Sequence, residues 1–236
     1  MHILTDGRSP MRSLLRLALL SILSLSCLFL SAVLRSPAVQ AAPEQKHTPC
    51  CGLITPAGER LADTFDNMNV ESLWLAGEHV NWETGEPDKS ADYEGPGNHS
   101  HCSAFAAAAA MRLGVYLLRP PEHEQLLLAN AQADWLASEA GAQGGWRSVA
   151  DMREAQRLAN QGYLVLALYR NPNPHVPGHI AIVRPSEKSA AALEVNGPEM
   201  IQAGERNYTK ISARVGFEHH PGAWPNGIRY YAHAIN

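Results

Sequence analysis

A single cysteine stands directly before an alanine-rich run, and this junction constrains the fold more than any other feature of the chain. Cys102 and Ser103 lead into residues 104–111, six of which are alanine. Alanine has the highest helix propensity, so the run predicts a helix that ends near Gly114. Cys102 would then lie at a helix N-terminus, where unpaired backbone N–H groups and the helix dipole favour a thiolate over a thiol.

A histidine begins a second well-defined segment. Pro177 and Gly178 precede His179, which opens the β-branched run of residues 179–183. The run predicts a buried strand with the histidine at its first position. A cysteine on a helix and a histidine on a strand, far apart in sequence, is the pairing that thiol enzymes use for nucleophilic catalysis. The sequence therefore predicts an enzyme.

The order of the predicted elements indicates the fold class. Residues 69–82 suggest one short helix or strand, and the Gly- and Pro-rich residues 81–101 read as a long loop that leads to Cys102. Helical patterns follow at residues 102–114, 120–135 and 148–160, the last with Ser148 as its N-cap. Strand patterns then occupy residues 163–169, 179–183, 200–203 and 228–232. Helices followed by a run of strands predict an α+β domain with an antiparallel sheet.

The N-terminus resembles an export signal. Arg8, Arg12 and Arg16 precede an apolar run at residues 17–34, and small residues near position 41 form a cleavage pattern. We expect residues 1–41 to be removed and the protein to be exported to the periplasm or the cell exterior. An uncleaved anchor is the alternative, because the run of 18 residues is close to the minimum for spanning a bilayer. Residues 42–68 then read as a linker or N-terminal arm, and residues 69–236 as one catalytic domain.

Charge and cysteine content narrow the function further. The chain carries a formal net charge of −4, and the predicted leader removes more basic than acidic residues, which argues against nucleic-acid binding. Three cysteines remain after the leader, and Cys102 has the context of the unpaired one. Cys50 and Cys51 are adjacent, and a disulfide between them, a contact with another chain and two free thiols all remain open.

Histidines cluster near Cys102, but their spacing does not predict a metal site. His99 and His101 flank Ser100 just before the cysteine, and His219 and His220 form a second pair. None of these spacings matches a usual zinc pattern, and no second cysteine lies near Cys102. We expect neither a metal nor another cofactor.

Two short motifs resemble a known group of enzymes. Residues 102–105 and 111–115 are similar to the cysteine-bearing helix of NlpC-type cell-wall peptidases. Residues 178–183 are similar to their histidine strand and to that of the related CHAP amidases. The resemblance implies a papain-like fold that cuts peptide or amide bonds in bacterial peptidoglycan, with Cys102 as nucleophile and His179 as base. It also makes Tyr93 the counterpart of a tyrosine that helps to hold the oxyanion.

A third residue should orient the histidine by accepting its Nδ1 proton. The CHAP resemblance implies Asn196 for this role, and the NlpC resemblance implies Gln202. Residues 186–194 have a helix-forming composition and are followed by the helix stop Gly197–Pro198. This places Asn196 at the end of a helix and Gln202 on the strand beside His179, so we predict Gln202.

Together these features predict an exported cysteine peptidase or amidase that acts on peptidoglycan or a peptide through Cys102, His179 and Gln202. An acyltransferase is one alternative, because an amine can replace water in the same chemistry. A non-catalytic cell-wall-binding or inhibitor module on the same scaffold is another. A membrane contact is expected only if the leader is uncleaved, and the sequence does not indicate an oligomeric state.

Overall fold

A computed structural model of the protein describes residues 49–97 and 99–235, and the predicted leader at residues 1–41 lies outside them. The described chain is an α+β structure with a six-stranded antiparallel sheet, as predicted. The helices are α1 (Pro56–Asp66), α2 (Cys102–Arg112), α3 (Leu128–Leu136), α4 (Glu139–Gln143), α5 (Met152–Asn160), α6 (Ala190–Asn196) and α7 (Ala213–Gly216). The strands are β1 (Arg147–Val149), β2 (Leu164–Tyr169), β3 (His179–Val183), β4 (Glu199–Gln202), β5 (Tyr208–Ser212) and β6 (Arg229–His233).

The sheet has the order β1-β6-β2-β3-β4-β5, so β2 and β3 lie at its centre. Both of these strands are buried along their whole length, which is why they read as continuous apolar runs in the sequence. On β3, Ile180 and Ile182 belong to the apolar cluster that contains α2, whereas Ala181 and Val183 belong to the cluster that contains α5. Helices therefore cover both faces of the sheet. Among the described residues, no helix is long and apolar enough to cross a bilayer.

Helix α2, which begins with Cys102, covers one face of the sheet. Its first nine residues are all buried, and it packs against β3. Small alanine side chains allow the helix to approach the sheet closely, and they also favour the helical conformation. The helix ends at Arg112, and Gly114 adopts a φ of 71°, which agrees with the predicted stop.

Part of the predicted linker is structured, which corrects the prediction for residues 42–68. Residues 56–66 form α1, whose N-cap Thr55 accepts a hydrogen bond from the Gly58 N–H. Leu61 and Phe65 lie one helical turn apart and are both buried in the core. The polar composition around this pair concealed an amphipathic helix, so the folded domain begins before residue 69.

Three other boundaries differ from the sequence predictions. Residues 69–82 form turns, with only an isolated bridge between Val80 and Pro87. The helix predicted for residues 120–135 is α3, and it begins at Leu128 instead of near Pro120. Asp151, and not Ser148, caps α5, because its carboxylate accepts hydrogen bonds from the N–H groups two and three residues later. Ser148 belongs to β1.

The structure shows which cysteines are paired. Cys50 and Cys51 form a disulfide with each other, and Cys102 is a free, buried thiol. The disulfide-bearing segment is tied to the domain, because the Cys50 N–H donates to the carbonyl of Lys188.

Asn160, the last residue of α5, joins three segments of the chain. Its Nδ2 donates to the carbonyls of Gly52 and Ser186, both at 3.0 Å. Its Oδ1 accepts from the Ser186 N–H at 2.9 Å and from Gln156 Nε2 at 3.0 Å. Asn160, Gln156 and Ser186 are all buried, so the Ser186 backbone groups have no access to water as a substitute partner.

Replacing this side chain should therefore destabilise the fold strongly. Asn160→Ala leaves the buried N–H and carbonyl of Ser186 without partners, and we expect the free energy of unfolding to fall by about 3 kcal/mol, since each orphaned group costs roughly 1–3 kcal/mol. Urea denaturation monitored by circular dichroism measures the change. The exposed Asn67 provides the matched control, and Asn67→Ala should change the stability by less than about 0.5 kcal/mol. Equal stabilities of the two variants would contradict this assignment.

Candidate active site

Cys102 is the first residue of α2, as predicted, and only 6% of its surface is exposed. The backbone N–H of Ile180 faces its sulfur, and the N–H groups of Cys102 and Ser103 at the start of the helix also favour the anion. Burial outweighs them and raises the pKa of the Cys102 thiol. Burial therefore opposes the thiolate that the helix N-terminus was expected to favour.

His179 is the first residue of β3 and is also buried, with 4% of its surface exposed. Its Nε2 donates to Oε1 of Gln202 at 3.0 Å, and Gln202 Nε2 donates to the carbonyl of Arg206 at 3.4 Å. The neutral ring therefore carries its proton on Nε2 and its lone pair on Nδ1. This corrects the expectation that the third residue accepts the Nδ1 proton, and it leaves Nδ1 as the basic atom.

Two aromatic rings pack against His179. The ring of His220 stacks on it with 4.7 Å between centroids and an interplanar angle of 12°. The ring of Phe217 meets it at an angle of 73°, with centroids 4.8 Å apart. Burial and, to a smaller extent, the charge of His220 lower the pKa of His179 to about 3, although the hydrogen bond to Gln202 opposes both. His179 is therefore neutral at physiological pH.

The two side chains lie on neighbouring cavities. Cys102 lines a cavity of about 110 Å³ with Gln125, Leu126 and Ala129. His179 and Gln202 line a larger one of about 610 Å³. Ser100, Pro177 and Gly178 line both, so the Pro177–Gly178 segment forms their common wall. The hydrogen bonds of the described residues include none between the Cys102 sulfur and the His179 ring.

Gly178 is required by close packing of the protein's own chain. A Cβ at this position would lie 2.2 Å from the carbonyl oxygen of Tyr169 and 2.6 Å from Oδ1 of Asn130. Asn130 holds the adjoining loop, because its Nδ2 donates to the Val176 carbonyl at 2.9 Å and its Oδ1 accepts from the Asn171 N–H at 3.1 Å. The start of β3, and with it His179, is therefore positioned by backbone packing.

Tyr93 is not brought to the site. Its hydroxyl donates to the carbonyl of Pro96 at 3.3 Å, and its ring meets the ring of His79 edge-on, with centroids 5.2 Å apart. It lines neither the cavity of Cys102 nor that of His179. Among the described residues, the N–H groups at the start of α2 are better placed than this hydroxyl to meet an anion formed at Cys102.

Asn196 and Gln202 occupy the positions that the sequence predicted for them. Asn196 is the last residue of α6, and Gln202 is the last residue of β4. Gln202 is buried against His179, whereas the side chain of Asn196 is partly exposed at the helix end. Of the two candidates for the third residue, the structure places Gln202 beside the imidazole.

The side chain of His101 holds neighbouring segments of the chain together. Its ring is fully buried, and its Nε2 donates to the Glu78 carbonyl at 2.9 Å. Its Nδ1 accepts from Gln125 Nε2 at 2.7 Å, so the ring is held as the neutral Nε2–H tautomer. Burial lowers the pKa of His101, in agreement with this assignment. Gln125 thereby fixes the residue before Cys102, although nothing in the sequence signalled its role.

His220 and Phe217 are the other residues that sequence reasoning missed at this site. The adjacent histidines 219 and 220 suggested only a weak metal motif, but His220 contacts the predicted base directly. Among the described residues, no group of three or more His, Cys, Asp or Glu side chains is arranged to hold a metal ion.

Comparison with known proteins adds no assignment. No protein-family model matches the chain, and no curated protein matches it.

The burial of Cys102 predicts how it reacts with iodoacetamide. Because its pKa is raised, the rate of alkylation should keep rising with pH beyond the ordinary thiol midpoint of about 8.5, and labelling at pH 6 should be slower than that of a free cysteine peptide. Intact-mass spectrometry follows the reaction, and the midpoint of the pH profile separates the pKa from simple steric access. The urea-unfolded protein should regain the ordinary midpoint. Faster labelling than the peptide at pH 6 would show a resting thiolate instead.

Proposed function

We propose that this chain is an exported cysteine hydrolase of papain-like fold that cuts peptide or amide bonds, with peptidoglycan as its substrate. The observation that carries the proposal is the contact of the first residue of α2 with β3. The Cys102 sulfur faces the N–H of Ile180, the residue directly after His179. A nucleophile at a helix start, a base on the adjoining strand and a polar residue on the next strand support a papain-like arrangement.

The chemistry starts from a neutral pair. As the Cys102 sulfur attacks the substrate carbonyl, its proton passes to the lone pair on Nδ1 of His179, and Gln202 holds the opposite edge of the imidazolium. The N–H groups at the start of α2 stabilise the oxyanion. His179 then gives its proton to the leaving amine as the C–N bond breaks. Water, deprotonated by His179, releases the acid and restores the thiol.

The pKa shifts of Cys102 and His179 favour transfer of the thiol proton to His179 during the attack on the carbonyl, and not before it. A resting ion pair is disfavoured, because burial raises the pKa of Cys102 and lowers that of His179. Catalytic hydrogen bonds are often long or poorly aligned in free enzymes and tighten only when substrate is bound. A carbonyl bound over Ser100 and Gly178, which line both cavities, would bridge the two side chains.

Peptidoglycan is supported by two features of the sequence. The predicted export signal would bring the enzyme to the compartment that contains the wall. The cysteine and histidine motifs resemble those of cell-wall peptidases, and this resemblance is the basis for proposing that a peptide or amide bond is cut. The net charge of −4 provides no attraction to an anionic polymer, so binding would depend on the cavities near Cys102 and His179.

Digestion of purified sacculi tests the proposal. The chain should release soluble fragments with new amine and carboxyl termini, identified by mass spectrometry, and Cys102→Ala and His179→Ala should each lower the rate by more than about a thousandfold. The exposed His175 supplies the control, since His175→Gln should retain full activity.

Three other outcomes would redirect the proposal. Unchanged sacculi beside cleavage of another amide would remove peptidoglycan as the substrate. Transfer of the acyl group to an added amine in preference to water would indicate an acyltransferase. Binding to sacculi without cleavage of any amide would indicate a non-catalytic module.

The roles of Gln202 and Asn196 can be separated by mutation. Gln202→Ala should leave the protein folded but lower turnover about tenfold, because one orienting hydrogen bond of roughly 1 kcal/mol is lost and Nε2 of the ring no longer has a fixed partner. Asn196→Ala, at the end of α6, should be nearly silent. Steady-state rates on the released-fragment assay give the comparison. The reverse ranking would make Asn196 the orienting residue and would contradict the proposed triad.

A further inference from the structure

His220 is a second imidazole at the site that the proposed mechanism does not use. Its ring lies nearly parallel to the ring of His179, and it lines the same cavity of about 610 Å³. The turn that carries it is well anchored, because its N–H donates to the Phe217 carbonyl at 3.0 Å and its carbonyl accepts from the Ala223 N–H at 2.9 Å. The hydroxyl of Tyr169 on β2 fixes the next residue by donating to the Pro221 carbonyl at 2.7 Å.

The stack limits the orientations of the His179 ring. His220 covers one face, Phe217 packs against the ring at a steep angle, and Gln202 holds Nε2. Rotation of the ring by half a turn would break the bond to Gln202 and move the lone pair on Nδ1 away from its present position. Removing His220 would expose one face of the ring to the cavity and to water.

The surrounding charges favour a proton on His220 over one on His179. The titratable and charged groups around His220 are His179 on β3, Glu205 and Arg206 in the β4–β5 loop, and Glu218 and His219 on its own turn. Burial lowers the pKa of His220, and the charge of Glu205 opposes that shift. The His220 ring is only half-buried, whereas that of His179 is almost fully buried. Two stacked imidazolium ions would repel each other, so a proton on His220 further disfavours one on His179.

We propose that His220 is a positioning residue that holds the His179 ring in its base orientation and keeps it unprotonated, so that the base remains available under acidic conditions. This inference rests on the proposed function, because it assigns His179 the role of general base. His220 itself touches neither the thiol nor the reacting carbonyl in this assignment. It acts through the ring on which it stacks.

Two variants of His220 and one matched control test the proposal in the full chain. His220→Ala removes the stack and the charge, whereas His220→Phe keeps an aromatic ring without the charge. His175→Ala is the control, because His175 is exposed to solvent and lines neither cavity. The first measurement is an NMR titration of ¹⁵N-labelled histidine, in which the signal of His179 is assigned by its loss in His179→Gln. The second is the pH dependence of kcat and KM on sacculi.

In the unmodified chain, the His179 ring should stay neutral from pH 8 down to pH 4. His220→Ala should raise the titration midpoint of His179 by about one pH unit or more, and the fall of kcat on the acid side should move to higher pH by the same amount. It should also lower kcat about tenfold with little change in KM. His220→Phe should recover most of kcat. His175→Ala should match the unmodified chain, and thermal melting should confirm that every variant is folded.

An unchanged His179 midpoint and kcat in His220→Ala would overturn the proposal, and so would a loss in His220→Phe as large as that in His220→Ala. The NMR midpoint does not require turnover. If the unmodified chain cleaves no amide, the proposed function fails, and the titration still decides whether His220 controls the protonation of His179.

Discussion

The close packing of α2 on β3 is the contact on which the site depends. The alanines of α2 allow its axis to approach the sheet, and this approach brings Cys102 against the backbone of Ile180. Gly178, just before β3, has no room for a side chain against the Tyr169 carbonyl, so the backbone of β2 sets where β3 begins. The positions of the thiol and the imidazole therefore follow from the packing of main chain and small residues, which are the least adjustable parts of the core.

The same packing sets the electrostatics. A helix N-terminus stabilises a nearby anion by about 0.3–1 kcal/mol, and up to about 2 kcal/mol in favourable geometry. Complete burial can shift a pKa by 3–5 units, which is larger. Burial therefore prevails at Cys102, whose pKa is raised in spite of the N–H groups that face it. Because His179 is desolvated in the same way, burial favours the neutral form of both groups. In the proposed mechanism, charge develops on them only when a substrate is attacked.

The sequence predicted the elements whose signal is local. Helix α2 followed from its alanines, and β2 and β3 followed from continuous apolar runs. The position of Gln202 followed from the change from helix-forming composition to strand between residues 186 and 203. Helix α1 was missed because only Leu61 and Phe65 mark its buried face, and β5 was missed because it is a half-exposed edge strand. His220 could not have been predicted, since its role depends on a tertiary contact that brings the turn after α7 to the start of β3.

A single-turnover experiment tests the central claim, that Cys102 and His179 act together as nucleophile and base. Excess protein is mixed with sacculi, quenched with acid within the first turnover, and mapped by peptide mass spectrometry. The mechanism predicts a thioester-linked fragment of the substrate on Cys102, which disappears in His179→Ala because the attack no longer occurs. Release of cleaved fragments with no adduct on Cys102 at any quench time would contradict the mechanism and would require water to attack the amide directly.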